Sequence, residues 1–240
     1  MNTNALRSLW QEAFGDPDSF VEAFFRTGFS PERHQAIWEG ERPVAALYWL
    51  DCHRGTQRFA YIYAVAVAKS HRGQGLSRML MEQTHEKLKS QGYQGAVLCP
   101  ASGKLFSLYE KFGYRTFSYV DTFCQKPGDP ISLEELGPES YAQARKAFLP
   151  EGGLEQDGIP FLGTWCRFYR GKDFLLACAL DEGELFVQEF LGNRDAAPGI
   201  TAALGAKKGH FRTPGTQTPF AMYLPFTQAP APKYLGIVFD

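Results

Sequence analysis

One stretch of this 240-residue chain has the residue types and spacing to hold an anion. It is Ser70-His71-Arg72-Gly73-Gln74-Gly75-Leu76-Ser77, a glycine-bearing turn that opens directly into a helical run. Glycines accept positive φ and let a ligand approach the backbone. The first turn of a helix presents unpaired N–H groups and the positive end of the helix dipole. Together these cradle a phosphate or pyrophosphate, so residues 72–77 are a candidate anion site. A tight strand-to-helix connection needs glycines too, and the turn alone does not separate the two. Both nucleotide readings fit poorly. The chain has no GxxxxGK[ST] run, as a phosphate-binding loop would need. A dinucleotide fingerprint needs GxGxxG between parallel strands. Here Gly73 and Gly75 are followed by Arg78, and the preceding strands read as a hairpin.

The elements around the turn follow from pattern. Residues 3–14 have helical spacing, with Leu6, Leu9, Trp10 and Ala13 on one stripe, and Gly15 ends the run. Asp16 supplies an N-cap and Pro17 a first helical position for a second helix carrying Phe20, Val21, Phe24 and Phe25. The turn at Gly40-Glu41-Arg42-Pro43 joins 36–38 to 44–50 as an antiparallel hairpin. Residues 58–68 are apolar and β-branched enough for a central strand. A helix over 76–91 repeats Leu76, Leu80, Thr84 and Leu88, with Gly92 as its C-cap. Then 94–99 reads as a strand ended by Pro100, 105–112 as a short helix stopped by Gly113, and 114–123 as a last strand or strand pair. Lys126-Pro127-Gly128-Asp129-Pro130 is the best boundary, dividing the chain into 1–126 and 130–240. Beyond it, 140–149 reads as a helix and 174–180 with 184–191 as a hairpin about Asp181-Glu182-Gly183. Residues 196–204 read as a helix with Pro198 in its first turn.

Composition narrows the function classes. The chain is 44% hydrophobic and 15% aromatic, enough for one large core or two modest ones. A net charge of −1 asks for neither nucleic acid nor an anionic membrane as partner. No stretch approaches the roughly 18 to 20 apolar residues that cross a bilayer. The N-terminus lacks the basic segment and apolar run of a signal peptide. Cys52, Cys99, Cys124, Cys166 and Cys178 form no CxxC pair. That argues against a zinc ribbon or a disulfide framework and for a reducing compartment. Most of them read as core fillers. A cytoplasmic protein without a metal is the expectation.

Two segments now resemble a family. Arg72-Gly73-Gln74-Gly75-Leu76-Ser77 resembles the (Q/R)xxGx(G/A) coenzyme A motif of GNAT acetyltransferases, with Ser77 replacing the usual Gly or Ala. Leu108-Tyr109-Glu110-Lys111-Phe112-Gly113-Tyr114 resembles the family's LYxKxGF signature, with Tyr114 where Phe is commonest. Tyr63-Ala64-Val65-Ala66-Val67 is similar to the strand that leads into the coenzyme loop. The order of elements agrees, and the resemblance covers roughly residues 4–124. It implies an α+β fold, a mostly antiparallel splayed sheet flanked by helices, with a second, smaller α+β module. It also implies an N-acetyltransferase that uses acetyl-CoA as co-substrate. The acetyl group would pass to a primary amine by direct attack in a ternary complex.

Residue by residue, the resemblance places pantetheine against the backbone of Val65, Ala66 and Val67. The backbone N–H groups of Arg72, Gly73, Gln74, Gly75, Leu76 and Ser77 would hold the pyrophosphate. Tyr109 stands where the family's tyrosine protonates the leaving thiolate, and a phenol with a pKa of about 10 carries that proton at neutral pH. Ser102 falls near an asparagine position that contacts the coenzyme, and its hydroxyl could bond pantetheine. Lys104 reads as solvated. No general base stands out among His53, His71, His85, Glu39, Asp51 and Asp121, and some relatives use a water chain.

Residues 130–240 carry neither motif. Yet the hairpin about residues 181–183 and the helix near Asp195 echo the order of residues 54–90. The turn there, Gly192-Asn193-Arg194-Asp195-Ala196-Ala197-Pro198, has an acid and a proline in place of glycines and suits a pyrophosphate poorly. Two readings stay open, a degenerate GNAT-like module that completes the acceptor pocket and an unrelated α+β cap. The apolar segment before Asp240 reads as packed, which would bring the Asp240 carboxylates near the cleft to hold an amine. The acceptor is expected to be a small-molecule or peptide amine, and the protein a monomer or homodimer. The competing reading of the whole is a non-catalytic acyl-CoA-binding sensor or scaffold.

Overall fold

The computed structural model describes residues 2–239, so the expectation placed on Asp240 lies outside the described residues. The chain divides into two compact units. The first holds the residues up to Leu98, Ser102–Arg115 and Tyr223–Pro230. The second holds Cys99–Ala101, Thr116–Met222 and the residues from Ala231. The division therefore falls at Arg115 and Thr116 rather than in the proline-rich 126–130 stretch. Long-range packing overrides local composition here. Phe226 donates its N–H to the Gln94 carbonyl at 2.9 Å, and the Tyr223 ring lies against Gly95, where an added Cβ would meet it at 2.3 Å.

The first unit begins with α1 (Thr3–Phe14) and α2 (Asp18–Thr27). The Asn2 side chain caps α1 by accepting the Ala5 N–H at 3.1 Å, and Gly15 closes it at φ +75°. Leu6, Leu9 and Trp10 form its buried stripe. Asp16 does not cap α2. Its carboxylate accepts the buried Trp10 indole N–H at 2.7 Å, and Pro17 takes the N-cap position. A buried indole N–H needs a partner, and that demand outweighs the cap. The Trp10 ring meets Phe24 at 4.9 Å and Tyr48 at 5.4 Å, which ties both helices to the sheet.

That sheet contains β1 (His34–Glu39), β2 (Arg42–Arg54) and β3 (Gln57–Val67), paired antiparallel in sequence order. After α3 (Leu76–Ser90), β4 (Gly95–Leu98) pairs parallel with β3, and α4 (Gly103–Glu110) follows. β2 is buried from Pro43 through Cys52, the mark of a strand covered on both faces. No helix among the described residues is long and apolar enough to cross a membrane.

The chain enters the second unit within β5 (Arg115–Gln125). There follow β6 (Glu134–Leu136), α5 (Pro138–Phe148), β7 (Glu155–Gln156), α6 (Ile159–Leu162) and β8 (Arg167–Arg170). The hairpin of β9 (Phe174–Asp181) and β10 (Glu184–Gly192) leads to α7 (Ala197–Ala203), β11 (Lys208–Pro214) and β12 (Thr218–Pro225). Its strands run in the order β5-β11-β10-β9-β8-β6, antiparallel except for β10 with β11. Phe174, Leu176, Cys178, Phe190, Ile200 and Phe211 form its core. Beside them sits a buried ion pair, in which Arg145 donates to both Glu189 carboxylate oxygens at 2.6 and 2.8 Å. The Tyr141 and Tyr234 hydroxyls donate to the same carboxylate at 3.1 and 3.0 Å. Phe239 is buried against Phe161, as a packed C-terminal segment requires.

Candidate functional site

In the first unit β3 outlasts its parallel partner. The two strands are in register from Phe59 with Gly95 to Tyr61 with Val97, and then β4 stops at Leu98, just short of Pro100. Among the described residues, none of β4 stands opposite residues 62–67. The same part of β3 carries a bulge. Tyr63 faces Tyr48 and Ala66 faces Ala46 on β2, so Ala64 and Val65 share Leu47. Ala64 takes φ +49°, a left-handed value that costs a non-glycine residue energy. Bulges bend a strand and re-aim its groups. Ala66 is buried, while Val65 and Val67 are half-buried beside the open edge. An extended, amide-bearing ligand can pair with such an edge.

The strand leads to the glycine turn. Gly73 and Gly75 take φ +80° and +78°, and an added Cβ at either would meet nothing within 4 Å. Gly75 is the N-cap of α3, which has no acidic residue in its first turn and no side-chain cap. Its first internal bond runs from the Met79 N–H to the Gly75 carbonyl at 3.1 Å. The N–H groups of Leu76 and Ser77 therefore belong to the unpaired set at the helix start, and both residues are half-buried. Arg72 and Gln74 are exposed and fold back weakly on the turn, to the Val67 and Ser70 carbonyls, each at 3.4 Å. His71 is turned to Glu39 on β1, with Nε2 3.1 Å from the carboxylate.

Gly113 shows why the second motif needs its glycine. At φ +90° it closes α4: Gly113 N–H donates to the Glu110 carbonyl at 3.0 Å and Tyr114 N–H to the Tyr109 carbonyl at 3.1 Å. This is a Schellman stop. Tyr109 is half-buried, its ring 6.1 Å from Phe112 and 5.8 Å from Tyr114. Burial pushes its phenol up to about 12, so the group is protonated at neutral pH. Tyr114 is buried and its hydroxyl meets His85 Nε2 on α3 at 2.8 Å. Burial lowers the His85 imidazole to about 4. The Arg78 guanidinium lies 5.5 Å over the Phe112 ring, a second tie between α3 and the end of α4. Ser102 is the exposed N-cap of α4 and makes no side-chain cap bond.

Most of the carboxylates considered as bases are engaged. Asp51 accepts from the Tyr93 hydroxyl at 2.5 Å and from Arg33 at 3.4 Å. Asp121 accepts the Thr216 and Gln217 N–H groups at 2.9 and 3.1 Å, which hold it below the usual carboxylate range. His53 is half-buried on β2, opposite Arg58. Sequence reasoning named the glycine turn, Ser102 and Tyr109 and did not foresee the bulge at Ala64 or the Tyr114–His85 contact. Alanine carries no signal for positive φ, and a histidine on an amphipathic helix reads the same whether it faces in or out.

A family model described as an acetyltransferase (GNAT) domain matches residues 2–117. Those residues belong to the GNAT superfamily. The chain is 29% identical over 85 residues to the uncharacterized N-acetyltransferase YjcF of Bacillus subtilis, covering 35% of this chain and 57% of that protein. It is 35% identical over 66 residues to N-alpha-acetyltransferase 30 of Schizosaccharomyces pombe, covering 27% of this chain and 44% of that one. The matches thus span little more than half of the one relative and less than half of the other. The crystal structure of a GCN5-related N-acetyltransferase from Anabaena variabilis superposes with a TM-score of 0.69 at 18% identity, over 92% of this chain and 70% of that one. The GNAT fold, mixed α/β with a mostly antiparallel sheet flanked by helices, therefore extends well beyond the matched segment.

Proposed function

We propose that this chain is an acetyl-CoA-dependent N-acetyltransferase that acts on a primary amine within a ternary complex. The observation that carries the reading is the open edge of β3 at Val65–Val67, continuous with a turn whose Gly73 and Gly75 leave free space before α3. Pantetheine has amides to pair with such an edge. The backbone N–H groups from Arg72 to Ser77 suit the pyrophosphate, and the Ser102 hydroxyl offers a further bond to pantetheine. The amine attacks the thioester carbon, the C–S bond breaks, and the departing thiolate takes a proton. Tyr109 is the donor in this reading, because its buried phenol holds a proton at neutral pH. No base is assigned, and water can carry the amine proton away. The relative named an N-alpha-acetyltransferase supports an amine of a peptide or small molecule as acceptor. The β9–β10–α7–β11 order of the second unit supports a degenerate GNAT-like module there.

Calorimetric titration of the purified chain with acetyl-CoA, NADH and ATP tests the reading. Binding of acetyl-CoA alone is expected, and failure of any acyl-CoA to bind would remove the proposal. With an amine found by screening for release of free coenzyme A, Tyr109→Phe is expected to lower kcat about 10- to 100-fold and leave the KM for acetyl-CoA within about threefold. Binding without turnover on any amine would support the sensor instead.

A further inference from the structure

The second unit holds a cluster of reactive side chains that the proposed transfer does not use. Cys124 on β5, His210 on β11 and Glu184 on β10 lie on three neighbouring strands. Cys124 and His210 are direct partners in the β5–β11 ladder, and Sγ lies 3.4 Å from Nδ1. On the far side of the ring, Nε2 lies 2.6 Å from a Glu184 carboxylate oxygen. Phe186, the partner of His210 on β10, stacks on the imidazole at 4.9 Å with 4° between the planes. The ring is thus clamped in one orientation. That hydrogen bond also holds the Glu184 carboxyl below its usual range, so it stays an anionic acceptor. The neutral imidazole then carries its hydrogen on Nε2 and turns the Nδ1 lone pair to the thiol. Nucleophile, base and orienting carboxylate follow in the order that activates a nucleophile.

The arrangement does not suit one metal ion, because the thiol and the carboxylate lie at opposite nitrogens of a single ring. It does not suit acyl transfer either. An oxyanion would need free donors beside the sulfur, whereas β5 is laddered to β11 from Val120 to Gln125. Attack on a disulfide needs neither. Cys124 is exposed, and it opens into a groove of about 550 Å³ lined by Thr122, Phe123, Phe186 and Arg212.

We propose that Cys124 is a modification site that exchanges with a low-molecular-weight disulfide. His210 Nδ1 takes the Sγ proton, and the thiolate attacks one sulfur of RSSR. The Cys124–S–SR bond forms as the S–S bond breaks. The departing RS⁻ takes the proton from His210 and leaves as RSH, so the protein thiol is oxidised and half of the small disulfide reduced. Cys166 and Cys178 of the same unit are buried, and burial pushes the Cys166 thiol up to about 12 and Cys178 well above the usual range. Neither of these two supplies a resolving thiolate, and an external thiol removes the adduct.

The test is to treat the full chain with oxidised glutathione and follow the mixed disulfide by intact mass and peptide mapping between pH 6 and pH 8. The adduct is expected on Cys124. Its rate should fall far less from pH 8 to pH 6 than the about 80-fold expected of an unassisted thiol with a pKa near 8.5. His210→Gln should restore the steep dependence, and Glu184→Gln should move part of the way. If His210→Gln does not fold, the profile of the unaltered chain decides. An adduct on another cysteine, or a Cys124 profile as steep as that of an unassisted thiol, would overturn the proposal.

Discussion

β2–β3–α3–β4 in the first unit and β9–β10–α7–β11 in the second are built to one order. Each is an antiparallel hairpin, a helix and a strand parallel to the hairpin's second arm. Each second arm is also bulged, β3 at Ala64 and Val65 and β10 between Val187 and Glu189. The difference lies in what fills the turn and the bulge. Gly73 and Gly75 face open space, while at Gly192 an added Cβ would fall 2.2 Å from the Asp173 carbonyl oxygen. The Asn193 side chain accepts the Asp195 N–H at 3.0 Å and donates to the Asp173 carboxylate at 2.9 Å. The donors that stay free before α3 are used up before α7, and Asp195 adds a charge that repels an anion. The bulge in β10 is followed by the buried Glu189, where the bulge in β3 leads to an open edge. One scaffold, proposed as a site in the first unit, is built as a strut in the second, and a few residues make the difference.

The sharpest way to break the comparison is at Glu189. Glu189→Ala should leave Arg145 buried and unpaired and cost about 3 to 5 kcal/mol in urea unfolding. A cost under about 1 kcal/mol would mean that the second bulge is no strut. The first unit has its own buried titratable group in His85. Its pKa falls from 6.5 to about 4 on folding, so the unfolded chain binds the extra proton between those values. Stability from the neutral ring is present above pH 6.5 and is lost as pH falls towards 4, by on the order of 3 kcal/mol. His85→Gln should flatten that part of the urea profile.

Gly75→Glu tests the open turn directly. It should weaken acetyl-CoA binding about 100-fold, or about 2.7 kcal/mol by calorimetry, by putting an anion where the pyrophosphate is proposed. The smallest effect belongs to the closed turn. Asn193→Ala should cost about 1 kcal/mol of stability through the lost cap, with acetyl-CoA affinity unchanged within error. A loss of affinity there would undo the distinction between the two turns.

What was legible in the sequence was local. The boundaries of α1, α3 and the β9–β10 hairpin follow from apolar spacing and glycine stops, and the two motifs announce themselves in consecutive residues. The rest depends on residues far apart in the chain. Strand register is not written in β3 or β4 alone, so the resemblance implied a splayed sheet but not that pairing ends at Tyr61. Arg145 on an amphipathic helix looks solvated until Glu189 is found opposite. Lys126 to Pro130 has the composition of a linker, but compact units follow packing. Asp16 has the look of a cap, and only the burial of Trp10 gives it another partner.

The return of Tyr223–Pro230 to the first unit has a consequence for how the chain is made. While residues 1–115 leave the ribosome, the nascent GNAT segment lacks the Tyr223 ring over Gly95 and the Phe226 bond to Gln94. Those contacts arrive only after Thr116–Met222 has been synthesised. Until then the apolar Gly95–Leu98 strand waits with a bare edge, the kind of surface on which unfinished chains aggregate. A chain cut at residue 126 would keep both motifs and never close that edge.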